Sequence, residues 1–188
     1  MKKLTFLLIP WLLLISCNTD NLEPGELPEV TTEGKGTFAC TINGQSWEPC
    51  CTAFFQVDRN AYLTDKFVGI VGQKQKSADE VLAFQLLRSE INIGEEVTYL
   101  KSNGKLGIWS ENKNEGNSAH YYYNHEDSIA ANGGEKTHAL LYRDAFRLTV
   151  KILRMDEEVV AGTFSFDALT HTGDTLHVRD GRFDLRVE

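Results

Sequence analysis

The stretch that decides the fold is residues 37–47, which read TFACTINGQSW. Apolar and polar side chains alternate along its first half, and Asn-Gly at 43–44 separates it from a second short run that ends at Trp47. Asn-Gly between two such runs is the strongest short-range signal of a two-residue β-hairpin turn. That turn fixes the register, so Cys40 pairs with Trp47 and both share a face with Phe38. The stretch therefore predicts a hairpin with one buried face.

The rest of the body, residues 36–188, continues in the same way, with no sustained helical period. Short runs of β-branched and aromatic residues recur, for example at 67–72, 146–152 and 162–168. Residues 81–87 are typical of a strand, although a capping-box pattern at 77–80 also fits a helix over 78–88. The β character of the neighbouring segments favours the strand. We expect a single all-β domain, an antiparallel β-sandwich or flattened barrel of about nine or ten short strands built from hairpins.

A second hairpin is predicted at the C-terminal end of the chain. Asp180-Gly181 separates two alternating runs, residues 175–179 and 182–186. A two-residue turn would place Val178 opposite Phe183 on an apolar inner face.

The composition limits the classes of partner and activity. The chain has 188 residues, with 19 Lys and Arg against 27 Asp and Glu, and a net charge of −8. An acidic protein has no general electrostatic hold on nucleic acid, so no nucleic-acid partner is expected. The sequence lacks a Gly-x-Ser-x-Gly elbow, a His-Glu-x-x-His motif, a P-loop and a dinucleotide fingerprint. We expect a noncatalytic protein without a cofactor, although a hydrolase with scattered carboxylates would leave no linear trace.

The start of the chain resembles a bacterial lipoprotein signal. Two lysines precede an apolar run at 4–15 that is too short to span a bilayer, and LISC at 14–17 resembles a lipobox. The resemblance implies a signal peptide at residues 1–16, cleavage before Cys17, and acylation of Cys17 with more than one chain, palmitate among them. Several acyl chains on one residue make a stable membrane anchor.

Two features that follow Cys17 in the sequence indicate which membrane holds the anchor and how the body is attached to it. Asn18 rather than Asp follows the cysteine, so an outer-membrane position is expected, on the periplasmic or cell-surface face. Residues 17–35 carry proline, glycine and glutamate and few large apolar side chains. We expect them to form the acylated start and a flexible tether. The membrane is thus an expected partner, through the lipid and not through charge.

Three motifs, FACTINGQSW at 38–47, GDT at 173–175 and DGRFD at 180–184, carry a family likeness together with the lipobox. They resemble a family of small bacterial lipoproteins classified only as a domain of unknown function. The resemblance implies a β-rich fold and supplies no activity, ligand or catalytic residue. The expected function is therefore a noncatalytic binding or structural module of the cell envelope, with an envelope protein or a glycan as partner.

The densest polar cluster, residues 118–127, reads SAHYYYNHED. His120, His125, Glu126 and Asp127 are donors that Zn²⁺ or Cu²⁺ accepts, so this region is a candidate metal or small-ligand site. In a straight strand the two imidazoles would face opposite sides. A solvated surface strand is the alternative.

Tyrosines in the same cluster are candidates for an aromatic platform that binds sugar or peptide. Tyr121 and Tyr123 would share one face of a strand, and Tyr122 would point away from them. One of these two sets is then expected to pack inward.

The predicted C-terminal hairpin also carries a basic patch. Its register would pair His177 with Asp184 and place Arg179 against Arg182 on the outward face. Arginine holds carboxylate or phosphate through paired hydrogen bonds, so Arg179 and Arg182 are candidate ligand-binding residues. The alternative is compensation by acids on the same face, Asp184 and Asp167.

Apart from Cys17, the chain contains Cys40, Cys50 and Cys51, an odd number for an oxidising compartment. The hairpin register leaves Cys51 about 13 Å along an extended strand from the position opposite Cys40, beyond the roughly 7 Å between Cα atoms that a disulfide allows. We expect Cys40 to be a buried free thiol. Cys50 and Cys51 are the reactive candidates, with a strained vicinal disulfide or metal capture as alternatives.

Overall fold

The computed structural model describes residues 26–50, 58–75, 78–100, 117–125, 142–170 and 173–188. These residues form ten strands and one short 3₁₀ turn, Arg88–Glu90. The strands are β1 (Thr37–Ile42), β2 (Gln45–Trp47), β3 (Arg59–Leu63), β4 (Phe67–Gln75), β5 (Ala78–Leu87), β6 (Glu96–Leu100), β7 (Ser118–His125), β8 (Tyr142–Met155), β9 (Val159–Thr170) and β10 (Thr175–Arg186).

The strands form two antiparallel sheets. One has six strands in the order β2-β1-β10-β9-β8-β6, and the other has four in the order β3-β4-β5-β7. Buried side chains from both sheets form one core cluster, and a bridge between Ala61 and Val187 links the sheets at one end. The all-β prediction is confirmed, and of the two predicted architectures the described strands form an open sandwich.

The N-terminal hairpin has the predicted register. Cys40 pairs with Trp47, and Phe38, Cys40 and Trp47 are all buried. Asn43 has a φ of 50° and Gly44 a φ of 82°, the left-handed conformation that a type I′ turn requires at both central positions.

The predicted C-terminal hairpin is wrong, because residues 175–186 form one continuous strand. β10 lies between β1 and β9, and it pairs with β9 along its length and with β1 from Val178 to Asp184. Val178 lies opposite Phe166 and Gly181 opposite Phe164, so two residues of β10 face one residue of β9. This is a β-bulge at Arg179-Asp180, and Asp180 has the positive φ of 52° that a turn would also have used.

The bulge keeps both halves of β10 facing the core. Leu176 and Val178 point inward before it, and Phe183 and Leu185 point inward after it. Side chains alternate along a strand, so an even-numbered and an odd-numbered set can share a face only if one extra residue lies between them. The strand predicted over residues 81–87 is confirmed as part of β5, which pairs with β4 and β7 and buries Leu82, Phe84 and Leu86.

Candidate functional site

The functional candidates lie on the outward face of the six-stranded sheet, along β8, β9 and β10. Phe164, Phe166 and Ala168 of β9 are buried in the core, so the alternate residues point outward. Between Val159 and Asp167 those outward residues are small: Ala161, Thr163 and Ser165. The neighbouring strands present long cations, Arg147 and Lys151 on β8 and Arg179 and Arg182 on β10. We call this arrangement the outer groove, with Thr163 and Ser165 as its floor and these four cations as its walls.

An open cleft of about 160 Å³ lies at one end of the outer groove. Its lining residues come from three strands: Arg147 and Thr149, then Ser165, Phe166 and Asp167, and finally Arg179. The hydroxyl of Thr149 lies 2.9 Å from that of Thr98 on β6. Pockets that enclose drug-sized ligands measure about 300 to 1,000 Å³, so this cleft accommodates only a small group of a ligand.

Asp167 is the centre of a hydrogen-bonded cluster in the wall of the cleft. His177 Nδ1 lies 2.7 Å from Asp167 Oδ1, and the Arg179 guanidinium donates to the same oxygen. Arg179 also donates to the carbonyl oxygens of Phe166, at 3.0 Å, and Val178, at 2.8 Å. These bonds hold the guanidinium at the cleft in one orientation.

The Asp167 carboxylate stays ionised at neutral pH. Burial by itself raises its pKa, but the hydrogen bonds from His177 and Arg179 bring the pKa below its ordinary value. Because a carboxylate only accepts hydrogen bonds, His177 and Arg179 are the donors in these contacts. The His177 side chain is half exposed.

Arg147 stands on the wall opposite this cluster. It is the register partner of Asp167 and is exposed. Within the described ranges, no hydrogen bond or ion pair engages its side chain. The cleft therefore has two guanidinium groups against one carboxylate, a local positive excess in a chain whose net charge is −8.

The opposite end of the outer groove is covered by residues 28–35, which we call the strap. Asp184, only 1% exposed, lies under it. Its carboxylate accepts hydrogen bonds from the Thr31 hydroxyl at 2.6 Å and from the backbone amides of Glu33 at 3.0 Å, Gly34 at 2.7 Å and Lys35 at 3.2 Å. Gly34 has a φ of 76° and lies against Val159 and Arg186. A β-carbon at Gly34 would come within 3.0 Å of Val159, so this position suits glycine.

Two arginines hold the strap from the walls of the sheet. Arg182 donates to the carbonyl oxygen of Pro28 at 2.6 Å, and Arg154 donates to that of Thr32 at 3.0 Å. Burial raises the pKa of Asp184, but its four hydrogen bonds bring the pKa below the ordinary value. The carboxylate is therefore a charged anchor for the strap.

These contacts correct two expectations from the sequence. Residues 28–35 were assigned to a flexible tether, but they are hydrogen-bonded to the sheet, so the expected tether is shorter at this end. Asp184 was expected opposite His177, but in the continuous strand it pairs with Thr37 and Ala161. His177 pairs with Asp167 instead. Of the two acids expected to neutralise the basic patch, Asp167 does so and Asp184 does not.

The aromatic platform is wrong at Tyr121. This side chain is 6% exposed, contacts Trp47 edge-on with ring centroids 6.4 Å apart, and donates to Glu80 at 2.8 Å. Trp47 donates to the same carboxylate oxygen at 2.5 Å. Tyr123 belongs to the same strand, and its side chain lies outside the described residues.

The predicted metal site is not supported by the described residues. His120 pairs with Ala83 and His125 with Ala78, five positions apart on β7. In the described ranges no three His, Cys, Asp or Glu side chains are grouped as metal ligands. Glu126 and Asp127 lie outside those ranges.

The cysteines divide into two kinds. Cys40 is a free, fully buried thiol, as predicted, and burial raises its pKa to about 12. A thiol with such a pKa is unreactive at neutral pH. Cys50 is disulfide-bonded, so it is not the reactive thiol that the sequence suggested. Cys51 lies outside the described residues.

The signal peptide, Cys17 and the start of the tether also lie outside the described residues. Among the residues that are described, no helix is long and apolar enough to cross a membrane.

No family model, no curated protein and no solved structure matches this chain. The likeness to lipoproteins of unknown function therefore rests on the three quoted motifs and the lipobox. In this fold the last motif, residues 180–184, supplies part of the bulge, a groove wall, a core phenylalanine and the anchor of the strap.

The sequence indicated Arg179, Arg182, His177 and Asp167 as members of a charged surface patch. Arg147 was not among the residues that it indicated. The signal for Arg147 was present, because it is an outward residue of a segment predicted to be a strand. Its position opposite Asp167 follows from the register between β8 and β9, which contains irregularities that no local pattern shows.

Proposed function

We propose that this protein is a noncatalytic binding module of the bacterial cell envelope, held at the outer membrane through acylated Cys17. Its ligand-binding surface is the outer groove, and the cleft at the open end receives an anionic group, a carboxylate or a phosphate. The partner is an envelope protein or glycan that carries such a group.

The observation that carries this proposal is the pair of guanidinium groups on opposite sides of the cleft. Arg179 is fixed by Asp167 and by two carbonyl oxygens, so its ordering cost is met before a ligand binds. Arg147 is exposed and has no charged partner in the described ranges. Arginine binds carboxylate and phosphate with two parallel hydrogen bonds, and the hydroxyls of Thr149 and Ser165 supply further donors.

Replacing Arg147 with Gln is expected to weaken anion binding by about tenfold or more, because a charge-assisted hydrogen-bond pair is lost. The measurement is a titration of the full chain in neutral detergent with acetate and with inorganic phosphate, followed by NMR shifts of the arginine side chains. Lys66→Gln is the matched control, since Lys66 is an exposed cation in the turn between β3 and β4. Equal anion binding by the Arg147 variant and the wild type would reject the cleft as the site.

Replacing Cys17 with Ser is expected to move the protein from the membrane fraction to the soluble fraction. The thioether anchor cannot form on serine, and without it no acyl chain holds the acidic body to the bilayer. Fractionation combined with labelled palmitate checks this, with Cys40→Ser as the control that keeps the anchor. Unlabelled wild-type protein, or a Cys17 variant that stays in the membrane fraction, would contradict the anchoring.

A further inference from the structure

We propose that the ligand of the outer groove is a linear acidic glycan, rich in uronic acids, that lies along β9. This inference rests on the proposed function, because it names the class of ligand for the same surface. It goes beyond a single anion in the cleft, since it uses the full open length of the groove.

Positive charge is distributed along the length of the groove. Beyond the cleft, the next row of the sheet places Lys151, Thr163 and Arg182 side by side. The cations thus continue along both walls, with Lys151 four residues from Arg147 on β8, or about 13 Å at 3.3 Å per residue. A carboxylate bound in the cleft contacts the cations there, and a chain with repeated carboxylates would also reach Lys151 and Arg182.

The acids on this face determine which of the wall cations are open to a ligand. Two acids of this face are bonded within the protein: Asp167 to His177 and Arg179, and Asp184 to the strap. Asp180 is exposed in the bulge, and Glu96 pairs in register with Lys151. No ion pair joins Glu96 and Lys151 in the described ranges, and Glu96 is exposed. Arg147 and Lys151 have no ion pair in the described ranges, so these two wall cations are the ones open to a polyanion.

The position of β9 inside the sheet favours a glycan over an acidic peptide as the ligand. An extended peptide gains most of its affinity from main-chain hydrogen bonds to a free strand edge. β9 has no free edge, because β8 and β10 pair with it on both sides. Recognition must therefore come from side chains, and the groove offers hydroxyls on Thr98, Thr149, Thr163 and Ser165 between its cations. Sugar hydroxyls and carboxylates match this mixture.

The test compares galacturonate with its tetramer, by calorimetric titration of the full chain in neutral detergent. We expect the tetramer to bind at least roughly tenfold more tightly, because each additional carboxylate binds with a high effective concentration. Lys151→Gln is expected to remove most of that gain and to weaken binding of the tetramer far more than binding of acetate, because the cleft itself contains Arg147 and Arg179. Lys66→Gln again serves as the matched control and should behave like the wild type.

Other outcomes separate this inference from the proposed function. Acetate binding that depends on Arg147, without tighter binding of the tetramer, would overturn the linear glycan and leave the anion cleft standing. Equal binding of the methyl-esterified tetramer would overturn recognition through charge. Equal or tighter binding of a glutamate oligomer with the same number of carboxylates would assign the groove to an acidic peptide instead. A wild-type protein that binds neither acetate nor the tetramer would reject both proposals.

Discussion

Replacing Asp184 with Ala is expected to lower the free energy of unfolding by about 2 to 4 kcal/mol. This carboxylate accepts hydrogen bonds from the Thr31 hydroxyl and from the amides of Glu33 and Gly34, with Lys35 at a longer distance. Without it these donors lie against apolar surface or lift off into water, and the strap is lost either way. Urea denaturation measures the loss, and hydrogen exchange at residues 33–35 should become fast at the same time.

The matched control for this prediction is Glu33→Ala. That change removes one acid from the strap itself, but Glu33 is exposed and its only described ion pair is with Lys35 at 3.4 Å. It should alter the free energy of unfolding by no more than about 0.5 kcal/mol. An Asp184 variant as stable as the Glu33 variant would show that the bonds between Asp184 and the strap contribute nothing to the free energy of unfolding.

The charge of Asp184 gives the same prediction a pH signature. Because hydrogen bonding lowers its pKa in the folded state, the unfolded chain binds more protons on acidification. The stabilisation is fully present above the ordinary pKa of about 3.9 and is lost as the pH falls through the lowered pKa of the folded protein. The stability difference between the wild type and Asp184→Asn should therefore narrow from pH 7 to about pH 3. A difference that stays constant over this interval would show that the charge is irrelevant.

Replacing Phe164 with Ala is expected to cost about 3 to 5 kcal/mol of unfolding free energy. Its ring contacts three other phenylalanines, with centroids 5.5 Å from Phe38, 5.0 Å from Phe84 and 6.2 Å from Phe183. Gly181 closes the remaining side, since a β-carbon there would lie 2.6 Å from the Phe164 ring. The glycine backbone cannot move into the space, so the cavity persists in the variant.

Two further variants keep this prediction testable. Leu169→Ala removes an apolar side chain that is 47% exposed and should change the stability by no more than about 0.5 kcal/mol. Phe164→Leu retains most of the volume and should fold even if the alanine variant does not. Chemical denaturation of the series checks the order, and a Phe164→Ala protein as stable as the Leu169 variant would contradict the packing described here.

The two Gly-containing turn signals show what the sequence can and cannot determine. At Asn43-Gly44 the hairpin could be predicted because its partner strand is local. At Asp180-Gly181 the same reasoning failed, because a hairpin and a bulge both use a positive φ and both bring Val178 and Phe183 to one face. The choice between them depends on β1, whose Thr41 lies opposite Arg179 although 138 residues separate them.

The candidate site was only partly accessible for the same reason. Arg179, His177 and Asp167 were recognisable as a polar set on an outward face, but their pairing depends on the register across β10 and β9. Arg147 enters the cleft only through the register between β9 and β8. Tyr121 stood out in the sequence through its neighbours, yet its burial follows from the packing of the four-stranded sheet against Trp47, which no local pattern contains.

The strap also decides where mechanical tension would act on a protein anchored as proposed. A pull from the membrane would reach the body first where Arg182 holds Pro28 and then where Asp184 holds Thr31. Both residues lie in a strand that has backbone bonds on both sides. Those bonds share a load along the strand, whereas the few contacts of the strap break one after another. Tension would therefore release the strap first and lengthen the linker by up to about 26 Å for its eight residues. The strap would in this way yield under tension before the sandwich and its groove unfold.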